Sequence, residues 1–437
     1  VVVFKTPSLD QGASVGPGGV SPPGAYQDNF IKRLVGKPNE TIMILDGDIY
    51  VATTEKQLAD LKPDDFTIQT KSWDVQEALW RIVYDNDHQP TGKSRTYVSP
   101  TTKQIEWTDP AWRQPWTPVG ANGWTTLGRT FEFDSSKGDG TIKFDTSAIP
   151  TTFPLTDWLA YDITGEVGSP RRPNDQFRPR DNDNDYEYPM RANNVWPVSD
   201  LKLAMTYRRF EGEGKLRLNI QKRDQTAIVE LDASSYAIKR TIGGNETTIV
   251  SGSRSGIGSG DGSRVEFTFV DHQATLRIDG KIVAQSKPGD FPTNVSALLA
   301  EFESNQPPSI GSVWIEAAGH RAAFRHLSLW RDIHYINRAG RWGIPKKFPT
   351  GTGNVQLIRL GKGEYFVLGD NSLLSLDARM WDDPINLPDE ALHVESGRVP
   401  ERFLIGKAFF VYWPSGFPVS GPSLRLVPNF GEMRVIE

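Results

Sequence analysis

Gly369-Asp370-Asn371-Ser372-Leu373-Leu374-Ser375-Leu376-Asp377-Ala378-Arg379 is a polar turn that follows an apolar strand, Tyr365-Phe366-Val367-Leu368. It sets a hydroxyl, a carboxylate and a guanidinium at alternate positions. Near the other end of the chain, Asn29-Phe30-Ile31-Lys32-Arg33-Leu34-Val35-Gly36-Lys37-Pro38 places a lysine and an arginine side by side in an apolar, strand-like run. A lysine among Phe30, Ile31, Leu34 and Val35 is partly desolvated, which disfavours the ammonium and lowers its pKa. A neutral lysine amine can take a proton from a serine hydroxyl, the Ser-Lys form of nucleophilic catalysis. A lone lysine on an edge strand ordinarily snorkels to water instead, so the sequence around Lys32 decides between the two.

Outward from these stretches the chain changes character twice. Residues 1–54 read as β structure: Val1 to Phe4 is a short apolar strand, and Gln11 to Ala25 is a surface loop rich in Gly, Pro and Ser. Strands follow over Phe30 to Val35 and Thr41 to Leu45, with Asp46-Gly47-Asp48 as a turn before Ile49-Tyr50-Val51. Residues 55–123 read as a linker with a helical segment. Val75, Leu79, Ile82 and Val83 share one helical face, and Asp85 to Pro90 end it with turn formers and a proline.

From 124 to 335 the alternation has period two almost throughout, as in Leu201 to Tyr207, Lys215 to Gln221 and Arg264 to Val270. Ala274 to Ala284 reads as a hairpin turning at Asp279-Gly280. Many antiparallel strands with glycine-rich tips indicate a β-sandwich or jelly roll. The strand-turn-strand arrangement is similar to that of concanavalin and laminin-G sandwiches. Residues 345–437 return to the style of the first fifty, with strands over Tyr365 to Leu368 and Phe403 to Trp413. The fold class expected is therefore mainly β: one β domain in two parts, 1–54 and 345–437, split by a large insertion that contains the sandwich. The same organisation predicts that the two parts fold together with the sandwich removed.

At 437 residues, two or three domains are expected. A net charge of −5 gives no global argument for nucleic acid or an anionic surface as partner. With no cysteine, disulfides and thiolate chemistry are excluded. No apolar run approaches the roughly 18 residues needed to span a bilayer. The opening Val1-Val2-Val3-Phe4 has neither an initiator Met nor a signal peptide, and reads as the start of a fragment cut from a longer protein.

The run Ile31 to Ile42, together with Gly369-Asp370-Asn371, Ser375, Asp377 and Arg379, resembles two signature boxes of type I signal peptidases, membrane-bound serine peptidases with a Ser-Lys pair. Val1 to Phe4 is similar to the tail of the strand box that precedes the lysine box. Val399-Pro400 to Trp413-Pro414 resembles the family's closing strands. The resemblance implies a signal-peptidase-type β catalytic domain with Lys32 as general base and Ser375 orienting its amine. Asp377 and Arg379 would form an ion pair fixing that loop, Arg33 and Asp370 would join the two boxes, and Gly369 and Asn371 would shape the turn. It implies no cofactor and no metal. The implied partners are preprotein leader peptides, which would add as a strand to an exposed edge, and the membrane, through an N-terminal anchor missing from this chain. The implied location is the extracytoplasmic, periplasmic side of the cell membrane.

Three stretches depart from the family pattern. Ser372-Leu373-Leu374 stands where many members have Arg-Asp-Asn, Ala378 replaces a serine, and Asn39-Glu40 follows the proline where Gly and an acid are usual. None of these touches the base or its orienter. The family's nucleophilic serine precedes a methionine and lies ahead of the first strand. Ser8, Ser14 and Ser21 lie after that strand and none precedes a methionine. The nucleophile is therefore expected upstream of Val1, and this chain by itself is expected to be inactive. The Asp85 to Pro90 segment and the large insertion resemble the long planctomycete-type signal peptidases, which carry a sandwich between the two boxes.

Other features carry less. Asp181 to Glu187 alternates carboxylates that could collect Ca²⁺, but lacks the glycine and terminal Glu of a calcium loop, so a solvated acidic loop is expected. His326 and His334 fall in or near the last sandwich strand and lack metal-ligand spacing. Gly256-Ile257-Gly258-Ser259-Gly260 is followed by no helix and is expected to be a hairpin tip rather than a phosphate cradle. The alternative to an enzyme is a non-catalytic envelope protein whose sandwich binds a glycan or a protein, with Trp107, Trp112, Trp116 and Trp124 stacking on sugars. The intact set Lys32, Ser375, Asp377 and Arg379 favours the enzyme. A self-cleaving repressor would share the chemistry, but nothing in the chain is basic enough to hint at a DNA-binding segment.

Overall fold

Strand Asn29–Gly36 lies at the centre of a five-stranded antiparallel sheet. The order is Val399–Pro400, Glu364–Leu368, Asn29–Gly36, Val2–Lys5, Leu404–Lys407. Two adjacent strands from the start of the chain are thus flanked on both sides by strands from its end. The computed structural model describes residues 1–5, 29–89, 95–98, 105–109, 113–120, 123–146, 155, 197–303, 311–335, 357–370, 372, 375, 377–381, 394–408, 410–411 and 434–435. A second sheet, ordered Leu357–Arg359, Thr41–Leu45, Asp48–Ala52, Thr67–Ile68, again joins residues from both sides of the insertion. Thr41–Leu45 and Asp48–Ala52 are buried at every position. Their unbroken apolar runs follow from cover on both faces.

The insertion forms two antiparallel sheets packed face to face. One runs Trp124–Leu127, Thr130–Asp134, Arg321–Arg331, Leu201–Glu211, Ser263–Val270, Gln273–Ile278, Lys281–Gln285. The other runs Asn245–Ser253, Ser235–Ile242, Gln225–Leu231, Lys215–Lys222, Ser312–Ala318, Gly140–Phe144, Trp116–Pro118. Alternate residues such as Leu218, Ile220, Val229, Phe267, Phe269 and Ile315 fill the space between them. The expected hairpin at Asp279-Gly280 is present, with both residues at positive φ (50° and 79°), as a two-residue turn between twisted strands requires.

Three expectations need correction. The sandwich begins before residue 124, because Arg81–Asp85 pairs with Arg321–Arg331 and Trp116–Pro118 pairs with Gly140–Phe144. The helical segment is only Trp73–Glu77. Ile82, Val83 and Tyr84 are β-branched or aromatic and are taken by the sheet edge, which leaves Ile82 50% exposed while Leu79 is fully buried. The Gly256 to Gly260 stretch is not a hairpin tip. It carries the chain from one sheet of the sandwich to the other, and Ile257, at 1% exposure, plugs the core on the way.

The insertion also supplies core to the domain it interrupts. Ile333 and Tyr335, just past its last strand, pack with Phe4, Phe366, Leu368 and Trp381. Helix Val295–Glu303 lays Val295, Leu298 and Leu299 over Met43, Leu45, Tyr50, Leu61 and Phe66. Covering each such leucine stabilises by about 1.5–3 kcal/mol. The sheets on either side of the insertion therefore draw part of their core from it, which the expectation of a removable module did not include. No described helix is long and apolar enough to cross a membrane.

Candidate active site

The pairing register assembles the site. Val2 lies opposite Lys32 on one side, and Arg33 opposite Leu368 on the other, so Gly369, the next residue, comes level with Lys32. Phe4 and Phe30 pack edge to face beneath, at a ring separation of 6.3 Å. Lys32 Nζ donates to Ser375 Oγ at 2.9 Å and lies 5.7 Å from the centre of the Phe30 ring. Burial lowers the Lys32 pKa below the ordinary lysine value. Asp377 opposes that shift, the Arg379 charge adds to it, and Asp370 opposes it more weakly.

The loop that carries Ser375 is held from below. Asp377 is fully buried, and its Oδ2 accepts from the Gly369 backbone N–H at 2.9 Å. Arg379 donates to the same carboxylate through Nε (2.9 Å) and Nη2 (2.7 Å), a two-pronged pairing. Burial works to raise the Asp377 pKa, but the Arg379 charge and these hydrogen bonds hold it below the usual carboxylate value. Arg379 also donates to Ser372 Oγ and Ser372 O, each at 3.0 Å. Ser372, which departs from the family pattern, thus serves the loop. The Asp377–Arg379 pair is no surface pair, since both side chains are at most 2% exposed. Ala378, the other departure in this loop, is buried in the core.

Arg33 Nε and Nη2 reach Asp370 Oδ1 and Oδ2 at 3.0 and 3.1 Å, joining strand to turn. Gly369 has a steric reason to be glycine: a Cβ there would lie 1.9 Å from Ser375 Oγ and 3.3 Å from Lys32 Nζ. The structure therefore brings together Lys32, Arg33, Gly369, Asp370, Ser375, Asp377 and Arg379. Asn371 lies outside the described residues, as do Ser8, Ser14, Ser21, Trp112 and Asp181 to Glu187.

A second polar cluster, where the sandwich meets the hairpin of Thr41–Leu45 and Asp48–Ala52, escaped the sequence reading. Lys222 Nζ, from the sandwich, lies 2.8 Å from Asp48 and 2.6 Å from Asp200, all three fully or nearly fully buried. Lys71 pairs with Asp271 and, at 3.0 Å, with Asp332. Asp48, Asp200 and Asp271 bring oxygens within 4.8 Å of one another. The Lys222 ammonium already stands between Asp48 and Asp200, where a cation would be held. The Asp46-Gly47-Asp48 turn was the available signal, because two carboxylates on a hairpin tip need cations if the tip is buried. Of the tryptophans proposed for sugar stacking, Trp116 and Trp124 are 2% and 5% exposed and form part of the sandwich core.

Comparison with known proteins finds signal peptidases. The chain matches the family described as signal peptidase, peptidase S26, over residues 261–413. It is 42% identical over 77 residues to Signal peptidase I of Pseudomonas fluorescens, covering 17% of this chain and 23% of that protein. It is 41% identical over 161 residues to Signal peptidase I of Pseudomonas aeruginosa, covering 36% of this chain and 47% of that protein. The chain thus spans less than half the length of these two relatives. Among solved structures it loosely resembles a carbohydrate-binding module from Bacillus subtilis. That match has 10% identity and a TM-score of 0.29, covering 49% of this chain and 94% of that one. A Bacillus licheniformis β-glucanase gives 8% identity and a TM-score of 0.28, covering 56% and 95%. Over part of its length, then, this chain is similar to signal peptidases of the peptidase S26 family.

Proposed function

We propose that this chain provides the general base and its supporting loop in a Ser-Lys peptidase that removes leader peptides from exported preproteins at the extracytoplasmic face of a membrane. The observation that carries this reading is the 2.9 Å contact between the partly buried Lys32 amine and Ser375 Oγ. A four-carbon stem is flexible, so a catalytic lysine needs a second anchor, and Ser375 supplies it. Burial favours the neutral amine, the form able to accept a proton from a serine hydroxyl. Asp377 and Arg379 hold the Gly369 to Ser375 turn, and Arg33–Asp370 ties that turn to the strand bearing Lys32.

The serine that Lys32 would deprotonate is, on the family pattern, ahead of strand Val2–Lys5, and we propose that this chain alone does not hydrolyse peptides. The test is cleavage of a leader peptide by the full-length gene product and by its Lys32→Ala variant. Loss of cleavage in the variant, with the fold retained, is expected. Full activity in Lys32→Ala would remove the lysine from its role.

A further inference from the structure

The last five residues described in the insertion, Arg331 to Tyr335, leave the sandwich and enter the catalytic domain already fixed at several points. Asp332 is fully buried and paired with Lys71 at 3.0 Å. Ile333 is buried among catalytic-domain residues. The His334 ring packs against Gly47, where a Cβ would come 2.2 Å from its Nδ1. The Tyr335 backbone N–H then donates to Gly47 O at 3.1 Å, bridging the insertion to the tip of the Asp46-Gly47 turn.

Tyr335 itself is 3% exposed and lies under the catalytic loop. The Arg379 guanidinium stands 6.0 Å from the centre of its ring, at the limit of a cation–π contact. The Tyr335 hydroxyl is buried and has no hydrogen-bond partner among the described residues. A buried hydroxyl with no partner adds nothing by its polarity, so its ring, not its hydroxyl, is the part the site uses. From Arg379 the contacts run unbroken: Arg379 to Asp377, Asp377 to the Gly369 N–H, and Gly369 to the closely packed Ser375, which meets Lys32.

We propose that Tyr335, delivered by the sandwich, is a positioning residue for the Lys32–Ser375 pair, seating Arg379 so that Ser375 stays in contact with the lysine amine. The sandwich would then act on the reaction through this side chain, whatever else it binds. The inference rests on the reading of Lys32 as base. When the ring is lost, the Arg379 charge moves and water reaches the amine. Both changes favour the ammonium form, so the two effects have the same sign.

The test measures the Lys32 amine directly and needs no nucleophile. The chain is labelled with acetic anhydride across a pH series, and acetylation of the peptide containing Lys32 is followed by mass spectrometry. Asp370, Asp377 and Arg379 are the charged groups facing this amine. Wild type, Tyr335→Phe and Tyr335→Leu are compared, with thermal unfolding checking that each is folded. Should the leucine variant fail to fold, Tyr335→Met, which adapts to irregular space, takes its place. In the ringless variant the labelling midpoint is expected to move up toward that of ordinary lysine, with Tyr335→Phe remaining at the wild-type midpoint. A folded ringless variant with an unchanged midpoint overturns the proposal, as does a phenylalanine variant that shifts as far as the leucine one. A wild-type Lys32 that labels like an ordinary surface lysine would instead overturn the reading of Lys32 as base.

Discussion

Lys222 reaches out of the sandwich to lie 2.8 Å from Asp48 on the hairpin of the catalytic domain, with both side chains at most 2% exposed. An ammonium so placed is held charged. Burial acts to lower its pKa, but Asp200 and Asp48 together raise it well above the ordinary lysine value. Replacing it removes the partner of two buried carboxylates at once. Lys222→Met is therefore expected to destabilise the fold by about 3–5 kcal/mol, the usual consequence of leaving a buried charge unpaired. A fall in the denaturant midpoint checks it, and an unchanged midpoint would show that the cluster contributes little.

Gly369 separates the Ser375 hydroxyl from the backbone by less than a methyl group's width. Gly369→Ala would push Ser375 off Lys32 without touching either side chain. In the full-length protein a displacement of about 1 Å is expected to lower kcat about a hundredfold. Steady-state cleavage of a leader peptide measures this, and an unimpaired variant would mean that Ser375 is dispensable.

Lys32 is expected to lower stability at neutral pH. Its folded-state pKa lies below the 10.5 of an ordinary lysine, so between those two values the unfolded chain binds more protons than the folded one. Stability from this group accordingly rises with pH across that window. Lys32→Met should melt above wild type at pH 7, and the gap should narrow as pH approaches 10.5. Melting curves at several pH values test the sign. A variant less stable than wild type at pH 7 would contradict it.

Removing the sandwich should leave the catalytic sheets unable to fold. Without helix Val295–Glu303 and the segment ending at Tyr335, the faces formed by Met43, Leu45 and Tyr50 and by Phe4 and Trp381 meet water. Exposed patches of this kind drive association. Joining the two flanks by a short linker is expected to give aggregated product, with soluble monomer as the contrary result in size-exclusion chromatography.

Much of the site was legible in the sequence because its chemistry sits in short, contiguous runs. Lys32-Arg33 and the Gly369 to Arg379 turn each keep their own residues within a few positions, and strand pairing sets the two runs side by side. The sandwich was legible for the same reason, since period-two patterns such as Leu201 to Tyr207 are local. What was missed depends on distant contacts. Ile82 to Tyr84 fit a helical face and a strand equally well, and only pairing with Arg321–Arg331 selected the strand. Asp48 and Lys222 lie 174 positions apart, and the Asp46-Gly47-Asp48 turn hints at a cation without saying which residue supplies it. Tyr335 follows the last sandwich strand and looks like linker until Arg379 is seen above it.

Lys32 and Ser375 are 343 positions apart in the chain, with the sandwich between them. During synthesis at about 5–20 residues per second, the strand bearing the lysine would wait on the order of tens of seconds for the strand beside it. In that interval the sandwich emerges whole and can fold first, offering Lys222 and the helix Val295–Glu303 as a surface on which the waiting hairpin collects. The contact between Lys32 and Ser375 is therefore among the last to form, and in a newly made chain the Lys32 amine stays open to water until the late-made strands have emerged.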